Sequence, residues 1–306
     1  MKANVILNAL RSQVWAIHPA ALQRMIADLE LLGEAEVSVR PEAAQPSPRS
    51  ITGGVAVIPV YGSISHRASL WSMFFGGTST QRLSNELSGA LADPAVSRIV
   101  LDVDSPGGTV DGVMEVVNEI FEARDRKPIT AVANAQAASS AYWIASQASE
   151  LVVTPSGEVG SIGVFALHAD FSKALEMAGI KTTFIKAGKY KTEGNSYEPL
   201  SEEAREYFQS RVDSYHSDFV KAVARGRGVT ADKVRHDFGQ GRMVGADEAV
   251  SKGMADKVMT LGTAIGRRGS VVSGARAEND EVPVVADDGK EEIDLRRRRL
   301  RRHRLA

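Results

Sequence analysis

The chain contains no cysteine among its 306 residues, which excludes disulfide bonds, zinc sites built on cysteine and a cysteine nucleophile. It also has no apolar run of the roughly 18–20 residues that a membrane span requires. The residues before Arg11 lack the apolar core of a signal peptide. These absences predict a soluble, cytoplasmic protein.

A strong charge of one sign and a set of metal ligands are missing as well. The net charge is −1, so no overall field favours nucleic acid or a membrane surface as a partner. We expect no metal site and no cofactor, because five of the six histidines show no ligand spacing. These five are His18, His66, His216, His236 and His303. With 43% apolar and 25% charged residues, the chain is typical of a globular protein with a sizeable core.

Three segments differ in their patterns. Residues 1–50 predict an arm, with helical spacing of apolar residues near 18–29 and then a Pro-rich linker. Residues 51–265 predict the compact domain. Residues 266–306 are aperiodic and end in an Arg-rich run at 296–304, which predicts a disordered charged tail. The tail is either a solvated end or an electrostatic handle for an acidic protein or nucleic acid, and composition does not decide between them.

Strand and helix patterns alternate through the compact domain. Buried strands are predicted at 53–62, 99–103, 129–133, 151–153 and 182–185. Helices are predicted at 79–92, up to about 123, at 171–178 and at 201–224, with shorter ones near 230–238 and 246–252. Spacing of this kind predicts parallel βαβ units and an α/β fold.

Two serines, Ser139 and Ser140, lie where the strand at 129–133 gives way to an Ala-rich helix. A hydroxyl at this point lies near unpaired helix N–H groups, which favour developing negative charge. The simpler interpretation is a helix cap, since serine is among the best N-cap residues.

Two further stretches complete a possible site. Ser105-Pro106-Gly107-Gly108 follows the preceding strand, and its glycines leave backbone N–H groups open to a ligand. Adjacent parallel strands bring their carboxyl ends together, so this loop and Ser139 can face one crevice. Lys191 follows the strand predicted at 182–185. Burial lowers the pKa of a lysine, which can then accept a proton from serine, although most single lysines are solvated surface charges.

Four motifs occur in the order of the S49 serine peptidases, and the resemblance spans about residues 53–262. These motifs are Ser105-Pro106-Gly107-Gly108, residues 137–143, Gly160-Ser161-Ile162-Gly163-Val164, and Tyr190-Lys191. The family includes signal peptide peptidase A and the phage head-maturation proteases. The resemblance implies a fold like that of Clp protease and crotonase, a ββα-superhelix, and a catalytic serine–lysine pair.

Carried over by motif, Ser139 is the nucleophile and Lys191, 52 residues later, is the general base. Gly108 and the backbone N–H of Ser140 form the oxyanion hole, and Ser161 hydrogen-bonds Lys191. This sequence departs from the family where Ser140-Ala141 replaces the usual Gly-Gly. The added side chains narrow the hole, and Ser140 becomes a rival nucleophile.

A histidine base is the alternative to Lys191. Relatives of the Clp type use Ser-His-Asp, and His168 with Asp170 lies at a suitable distance after Ser139. The motifs at 160–163 and 190–191 belong to the serine–lysine branch, so the resemblance favours Lys191.

The resemblance implies two peptidase functions. Signal peptide peptidase A proteins usually carry an N-terminal membrane anchor, which this sequence lacks, whereas residues 14–19 and the charged tail resemble phage proteins. We therefore expect a head-maturation protease that cleaves scaffold, portal or capsid proteins, or its own tail. It would act in the host cytoplasm or the procapsid interior as a homo-oligomeric ring, and nucleic acid would bind only through the Arg-rich tail. Alternatives of another class are a crotonase-like acyl-CoA enzyme and an inactive scaffold-binding module.

Overall fold

The computed structural model describes residues 7, 10, 13–32, 50–67 and 75–266. The Pro-rich linker and the predicted tail with its Arg-rich run lie outside these residues. The strands are β1 (Val14–Ile17), β2 (Ser50–Thr52), β3 (Val55–Tyr61), β4 (Ser63–Ser65), β5 (Gly77–Ser79), β6 (Arg98–Ser105), β7 (Gly107–Thr109), β8 (Ile129–Ala138), β9 (Glu150–Val153), β10 (Glu158–Gly160), β11 (Phe165–Ala166), β12 (Met243–Gly245) and β13 (Lys257–Val258). The helices are α1 (Pro19–Leu32), α2 (Thr80–Ala92), α3 (Val113–Ala123), α4 (Ser140–Ala145), α5 (Ser172–Met177), α6 (Glu202–Arg227), α7 (Ala231–Asp237), α8 (Ala246–Lys252) and α9 (Leu261–Ala264), with a 3-10 turn at Gly239–Gly241.

The larger of two sheets has the strand order β12-β10-β8-β6-β3-β2, with β9 paired to β8 and to β13. Strands β3, β6 and β8 are parallel neighbours, and β8 also pairs in parallel with β9 and β10. Helices α2 and α3 connect these parallel strands, which places a helix between each strand and the next. The predicted α/β fold class is therefore confirmed.

The main core lies between this sheet and the helices. Helix α2 contributes Leu83 and Leu87, and α3 contributes Val116, Val117 and Ile120, all nearly inaccessible to solvent. Each such side chain stabilises the fold by about 1.5–3 kcal/mol through removal of apolar surface from water. This packing holds the carboxyl ends of β6 and β8, where the site lies.

The second sheet has the order β11-β1-β7-β4-β5. Its strand β1 comes from the predicted N-terminal arm and pairs antiparallel with both β7 and β11. A separate apolar cluster joins β1 to α1 through Leu10, Trp15, Ile17, Leu22, Met25 and Leu29. The described part of the arm thus packs on the domain, while the segment boundaries at residues 50 and 265 stay predictions.

The prediction of a strand at residues 182–185 is wrong, because the structure has no helix or strand there. Its Thr-Thr-Phe-Ile sequence suits a strand, but a strand needs a neighbour with which to exchange backbone hydrogen bonds. Ile185 is fully exposed, at 101% of its reference area. Within the described part of one chain, nothing covers this apolar side chain.

Helix α6 has 26 residues and is amphipathic. Ser201 caps it by accepting a hydrogen bond from Ala204 N, and Gly228 ends it in the left-handed conformation. The side chain of Phe219 faces the core, where its ring stacks on Trp143 of α4 at a centroid distance of 4.4 Å. No helix in the described ranges is both long and apolar enough to cross a membrane.

Candidate active site

Ser139 connects the end of β8 to the start of α4 in a strained conformation. Its φ is 54° and its ψ is −121°, values that a residue with a Cβ rarely adopts. Two backbone hydrogen bonds hold it there: Ser139 N donates to Gly160 O at 2.7 Å, and Trp143 N donates to Ser139 O at 2.9 Å. Ser139 occupies the N-cap position, but its side chain makes no capping hydrogen bond. The structure therefore does not support a capping role for this hydroxyl.

Helix α4, which begins directly after Ser139, is fixed at its far side. The Tyr142 hydroxyl donates to Met254 O at 2.9 Å, and burial raises the pKa of this phenol well above its usual value. Tyr142 and Trp143 are almost completely buried. The strain at Ser139 is thus maintained by packing on both sides of the turn.

The Ser105-Pro106-Gly107-Gly108 turn lies against Ser139. Ser105 Oγ accepts from Gly107 N at 3.1 Å and donates to Gly62 O at 2.6 Å. Gly107 has a φ of +90°, and a methyl group added there would lie 3.0 Å from Ser139 Cβ and 2.4 Å from Ala16 O. Glycine is therefore required at this point for steric as well as conformational reasons.

The predicted oxyanion-hole residues lie in the two elements next to this contact, Gly108 in β7 and Ser140 at the start of α4. Gly108 lies in β7 between β1 and β4, and an added methyl group would lie 1.8 Å from Ile64 O. Ser140 is the first residue of α4 and is fully buried. Its Oγ has no hydrogen-bond partner among the described residues.

The segment Gly160-Ser161-Ile162-Gly163 contacts Ser139 through its backbone. Gly160 O accepts from Ser139 N, and Gly163 O accepts from Ser139 Oγ at 3.4 Å, a long hydrogen bond. Ser161 is buried with a φ of 52°, and its N–H donates to Arg242 O at 2.8 Å. Sequence analysis singled out this motif but missed the role of the two glycine carbonyls. The feature that could have indicated it is the pair of glycines on either side of Ser161-Ile162.

Lys191 is exposed in this single chain, whereas Ser139 and Ser161 are buried. Lys191 lies within the irregular residues 179–201, and its backbone N–H donates to Gly188 O at 3.2 Å. Across the described residues, no hydrogen bond joins its amine to Ser139 or Ser161. The burial that a lysine base needs is not supplied by Tyr190, which is itself 55% exposed.

The neighbouring lysine has a different environment. Lys189 Nζ lies 2.6 Å from Glu203 Oε1 and donates to the Tyr190 hydroxyl at 2.9 Å. These hydrogen bonds raise the pKa of Lys189 and lower that of Glu203. Lys189 is thereby held as a cation, which makes it unsuited to act as a base.

The structure does not assemble the alternative Ser-His-Asp arrangement. Both ring nitrogens of His168 are buried and without a hydrogen-bond partner among the described residues. Asp170 is exposed, and hydrogen bonds from the Ser172 side chain and from Ser172 N, which lies 2.8 Å from Oδ1, lower the pKa of its carboxyl. His168 instead lines a cavity of about 580 Å³ together with Val14 and Phe208.

Two acidic residues of β6, Asp102 and Asp104, were missed by sequence analysis. Asp102 is buried and accepts hydrogen bonds from the Tyr61 hydroxyl at 2.5 Å and from Asn134 Nδ2 at 3.1 Å. Burial and the charge of Asp102 raise the pKa of Asp104. These contacts are internal to the sheet. In the described part of the chain, no cluster of three or more potential metal ligands is present.

Comparison with known proteins adds independent information. Residues 122–270 match the sequence model of the group described as peptidase family S49. Capsid assembly protease C of Escherichia phage lambda is 32% identical over 243 residues, which cover 79% of this chain and 54% of that protein. Head-tail preconnector protein GP5 of Enterobacteria phage P21 is 33% identical over 215 residues, covering 70% of this chain and 42% of that protein.

A plant enzyme is also similar. The chloroplastic serine protease SPPA of Arabidopsis thaliana is 28% identical over 219 residues, 70% of this chain and 32% of that protein. The chain therefore spans about half, or less, of the length of these curated relatives. All three similarities cover most of this chain, the two to phage proteins at higher identity.

Proposed function

Because the chain belongs to peptidase family S49, we propose that it is a serine endopeptidase whose nucleophile is Ser139 and whose general base is Lys191. One observation carries the proposal. Ser139 is held in a strained turn, with its hydroxyl free of capping, between Gly107 and the carbonyl of Gly163. Strained strand-to-helix turns of this kind present nucleophilic serines in other hydrolases.

The proposed reaction follows the serine–lysine form of acyl transfer. Neutral Lys191 accepts the proton of Ser139 Oγ as the oxygen attacks the scissile carbonyl carbon, and then delivers it to the leaving amine. The N–H groups of Gly108 and Ser140 stabilise the tetrahedral oxyanion, at about 2.7–4 kcal/mol for a single such donor. Ser161 orients Lys191, and water hydrolyses the acyl-enzyme.

We place Lys191 of a neighbouring copy at each Ser139. Within one chain the amine is exposed and makes no hydrogen bond to Ser139 among the described residues. The segment around it exposes large apolar side chains, Met177 at 89%, Ile180 at 54% and Ile185 at 101%. A second copy that covers this surface would bury these side chains and desolvate the lysine. The protein therefore acts as a homo-oligomer.

The proposed substrates are proteins of a phage capsid. The phage lambda relative is named a capsid assembly protease, and the phage P21 relative a head-tail preconnector protein. By analogy we infer that this enzyme cleaves scaffold, portal or capsid proteins, or its own tail. The second candidate is degradation of signal peptides, which the similarity to SPPA favours.

The test is incubation of the purified protein with its cognate scaffold protein and, separately, with free signal peptides. Fragments of the scaffold should appear with the native chain and with Ser140→Ala, but not with Ser139→Ala. Rapid digestion of signal peptides beside intact scaffold would assign the second candidate. Failure of a fluorophosphonate probe to label Ser139 in the native chain and in Trp15→Ala, which weakens the anchoring of the N-terminal strand β1, would remove the peptidase proposal and favour a crotonase-like enzyme or an inactive binding module.

A further inference from the structure

Strand β1 lies in a slot whose two walls are the segments that contact Ser139. On one side, Ile17, Ala16 and Trp15 pair with Gly107, Gly108 and Thr109 of β7. On the other, Val14 and Trp15 pair with Ala166 and Phe165 of β11, which follows Gly163 directly. Without β1, the edges of β7 and β11 would face each other about 10 Å apart, a gap of one strand.

The backbone of Ala16 is close to the nucleophile. A methyl group added at Gly107 would lie 2.4 Å from Ala16 O and 3.0 Å from Ser139 Cβ. The Ala16 carbonyl oxygen is therefore no more than 5.4 Å from Ser139 Cβ, the sum of these two distances. This is the neighbourhood that a scissile carbonyl must enter before attack.

The same strand closes the site to solvent. Ser139, Trp15 and Ala16 each have 0% exposed area, and Ile17 has 2%. His18 N donates to Pro106 O at 2.7 Å, which ties the strand to the predicted oxyanion turn. An external peptide cannot reach Ser139 while β1 is in this place.

We propose that residues 13–18 occupy the position of an extended peptide substrate and keep the peptidase latent until the strand leaves. This inference rests on the proposed function. The substrate class follows from the walls: a peptide in β conformation, bound by backbone hydrogen bonds to two strand edges.

The anchoring of β1 suits a strand that can leave. Trp15 belongs to the cluster that joins β1 to α1, which is separate from the main core. Its indole N–H donates to Leu10 O at 3.0 Å, within the same N-terminal segment. The arm can therefore detach without opening the core between the large sheet and its helices.

A reversible lock tests the inference in the whole chain. Val14→Cys and Ala166→Cys place two thiols on directly paired residues of an antiparallel ladder, at a Cα separation of about 4.5–5.5 Å that suits a disulfide. Neither residue is buried, and the chain has no other cysteine. We expect the oxidised protein to lose fluorophosphonate labelling of Ser139 and cleavage of scaffold, and reduction to restore both.

The matched control carries Ser50→Cys and Val57→Cys, which pair antiparallel in the other sheet. Its labelling should be the same oxidised and reduced. Equal labelling of the oxidised and reduced Val14–Ala166 variant would overturn the inference and leave the peptidase proposal intact. If neither form, nor the control, nor a Trp15→Ala chain with a weakened β1 were labelled, the proposed function and this inference would both be removed.

A second variant covers the case in which the cysteine pair does not fold. Trp15→Ala weakens the anchor of β1 but leaves every residue of the proposed active site unchanged. If β1 blocks the site, Ser139 should be labelled faster than in the native chain. Unchanged or slower labelling by folded protein would mean that β1 is a permanent structural strand, and the inference would be wrong.

Discussion

At the scale of single residues, the site depends on backbone conformations that side chains normally oppose. Ser139 and Ser161 have φ values of 54° and 52°, and Gly107 between the neighbouring strands has +90°. Each of the two serines costs about 1–3 kcal/mol, which the surrounding hydrogen bonds must offset, whereas glycine adopts a positive φ at little cost. The segments that contain Gly107 and Ser161 both contact Ser139, which is the arrangement expected if Ser139 is the proposed nucleophile.

Gly107→Ala tests this arrangement. The added methyl group would overlap Ala16 O at 2.4 Å and meet Ser139 Cβ at 3.0 Å, in a conformation that alanine rarely adopts. We expect peptidase activity to be lost and the free energy of unfolding to fall by about 1–3 kcal/mol. Both are measured by probe labelling and denaturant titration.

The control is Gly245→Ala, because that residue has a φ of −68° and an added methyl group would meet no atom within 4 Å. It should leave labelling and stability nearly unchanged. If Gly107→Ala changed labelling and stability as little as this control, the close contact between the glycine turn and Ser139 would be contradicted.

At the scale of elements, an ion pair joins the end of α6 to the segment before β13. Both terminal guanidinium nitrogens of Arg227, Nη1 and Nη2, donate to the Asp256 carboxylate. Asp256 Oδ2 also accepts from Leu151 N at 2.7 Å. Only 6% of the Arg227 side chain is exposed. Burial opposes ionisation of Asp256, but these hydrogen bonds outweigh it and lower the pKa of the carboxyl. The pair thus fixes the long helix that supports Trp143 and α4.

The stability that Asp256 contributes should depend on pH with a definite sign. Because its pKa is lower in the folded state, the contribution is present above the unfolded-state pKa of about 3.9 and is lost as pH falls toward the folded value. Asp256→Asn should therefore destabilise the protein most at neutral pH, and the difference from the native chain should shrink in acid. Denaturant titrations between neutral pH and pH 3 measure it.

The exposed pair of Lys221 and Asp218, 3.5 Å apart on the same helix, provides the control. Asp218→Asn should change stability little at any pH, since exposed pairs contribute less than about 1 kcal/mol. Equal effects of the two substitutions would contradict a special role for Asp256.

The hydrophobic periodicity within each segment was sufficient to predict the helices and strands that build the core. The helix at 79–92 and the strands at 99–103 and 129–133 could be predicted because their burial follows from their own periodicity. The irregular conformation of residues 182–185 could not be predicted, because a segment with β propensity forms a strand only beside a partner strand, and the described residues do not supply one. Strand β1 could not either: four residues carry no periodicity, and its partners lie far away in sequence. The roles of Ser139 and Lys191 came from motif resemblance and stay predictions.

At the scale of the whole molecule, the proposal that Lys191 of one copy serves Ser139 of a neighbour predicts complementation between copies. Mixed and reassembled, Ser139→Ala and Lys191→Ala chains should regain activity, because some sites combine an intact serine with a neighbour's intact lysine. Random assembly through one repeated interface would restore about a quarter of the native activity. Each variant alone should be inactive in the same scaffold-cleavage assay.

A variant that cannot self-associate serves as the control for this complementation experiment. Ile185→Asp places a charge on a fully exposed apolar side chain, so it should leave folding intact and weaken self-association. In the mixture it should abolish the recovered activity. Full activity of a monomeric Ile185→Asp chain would mean that serine and lysine meet within one copy.

The pairing of β1 with strands far away in sequence also affects when β1 can join the sheet during synthesis. Its partners, Thr109 and Ala166, lie 94 and 152 residues later than Trp15 and Val14. The residues of β1 are therefore synthesised well before β7 and β11, with which they pair, and long-range pairing of this kind forms slowly. Because β1 joins two walls that are synthesised after it, the edges of β7 and β11 stay open to another strand until this long-range pairing is complete.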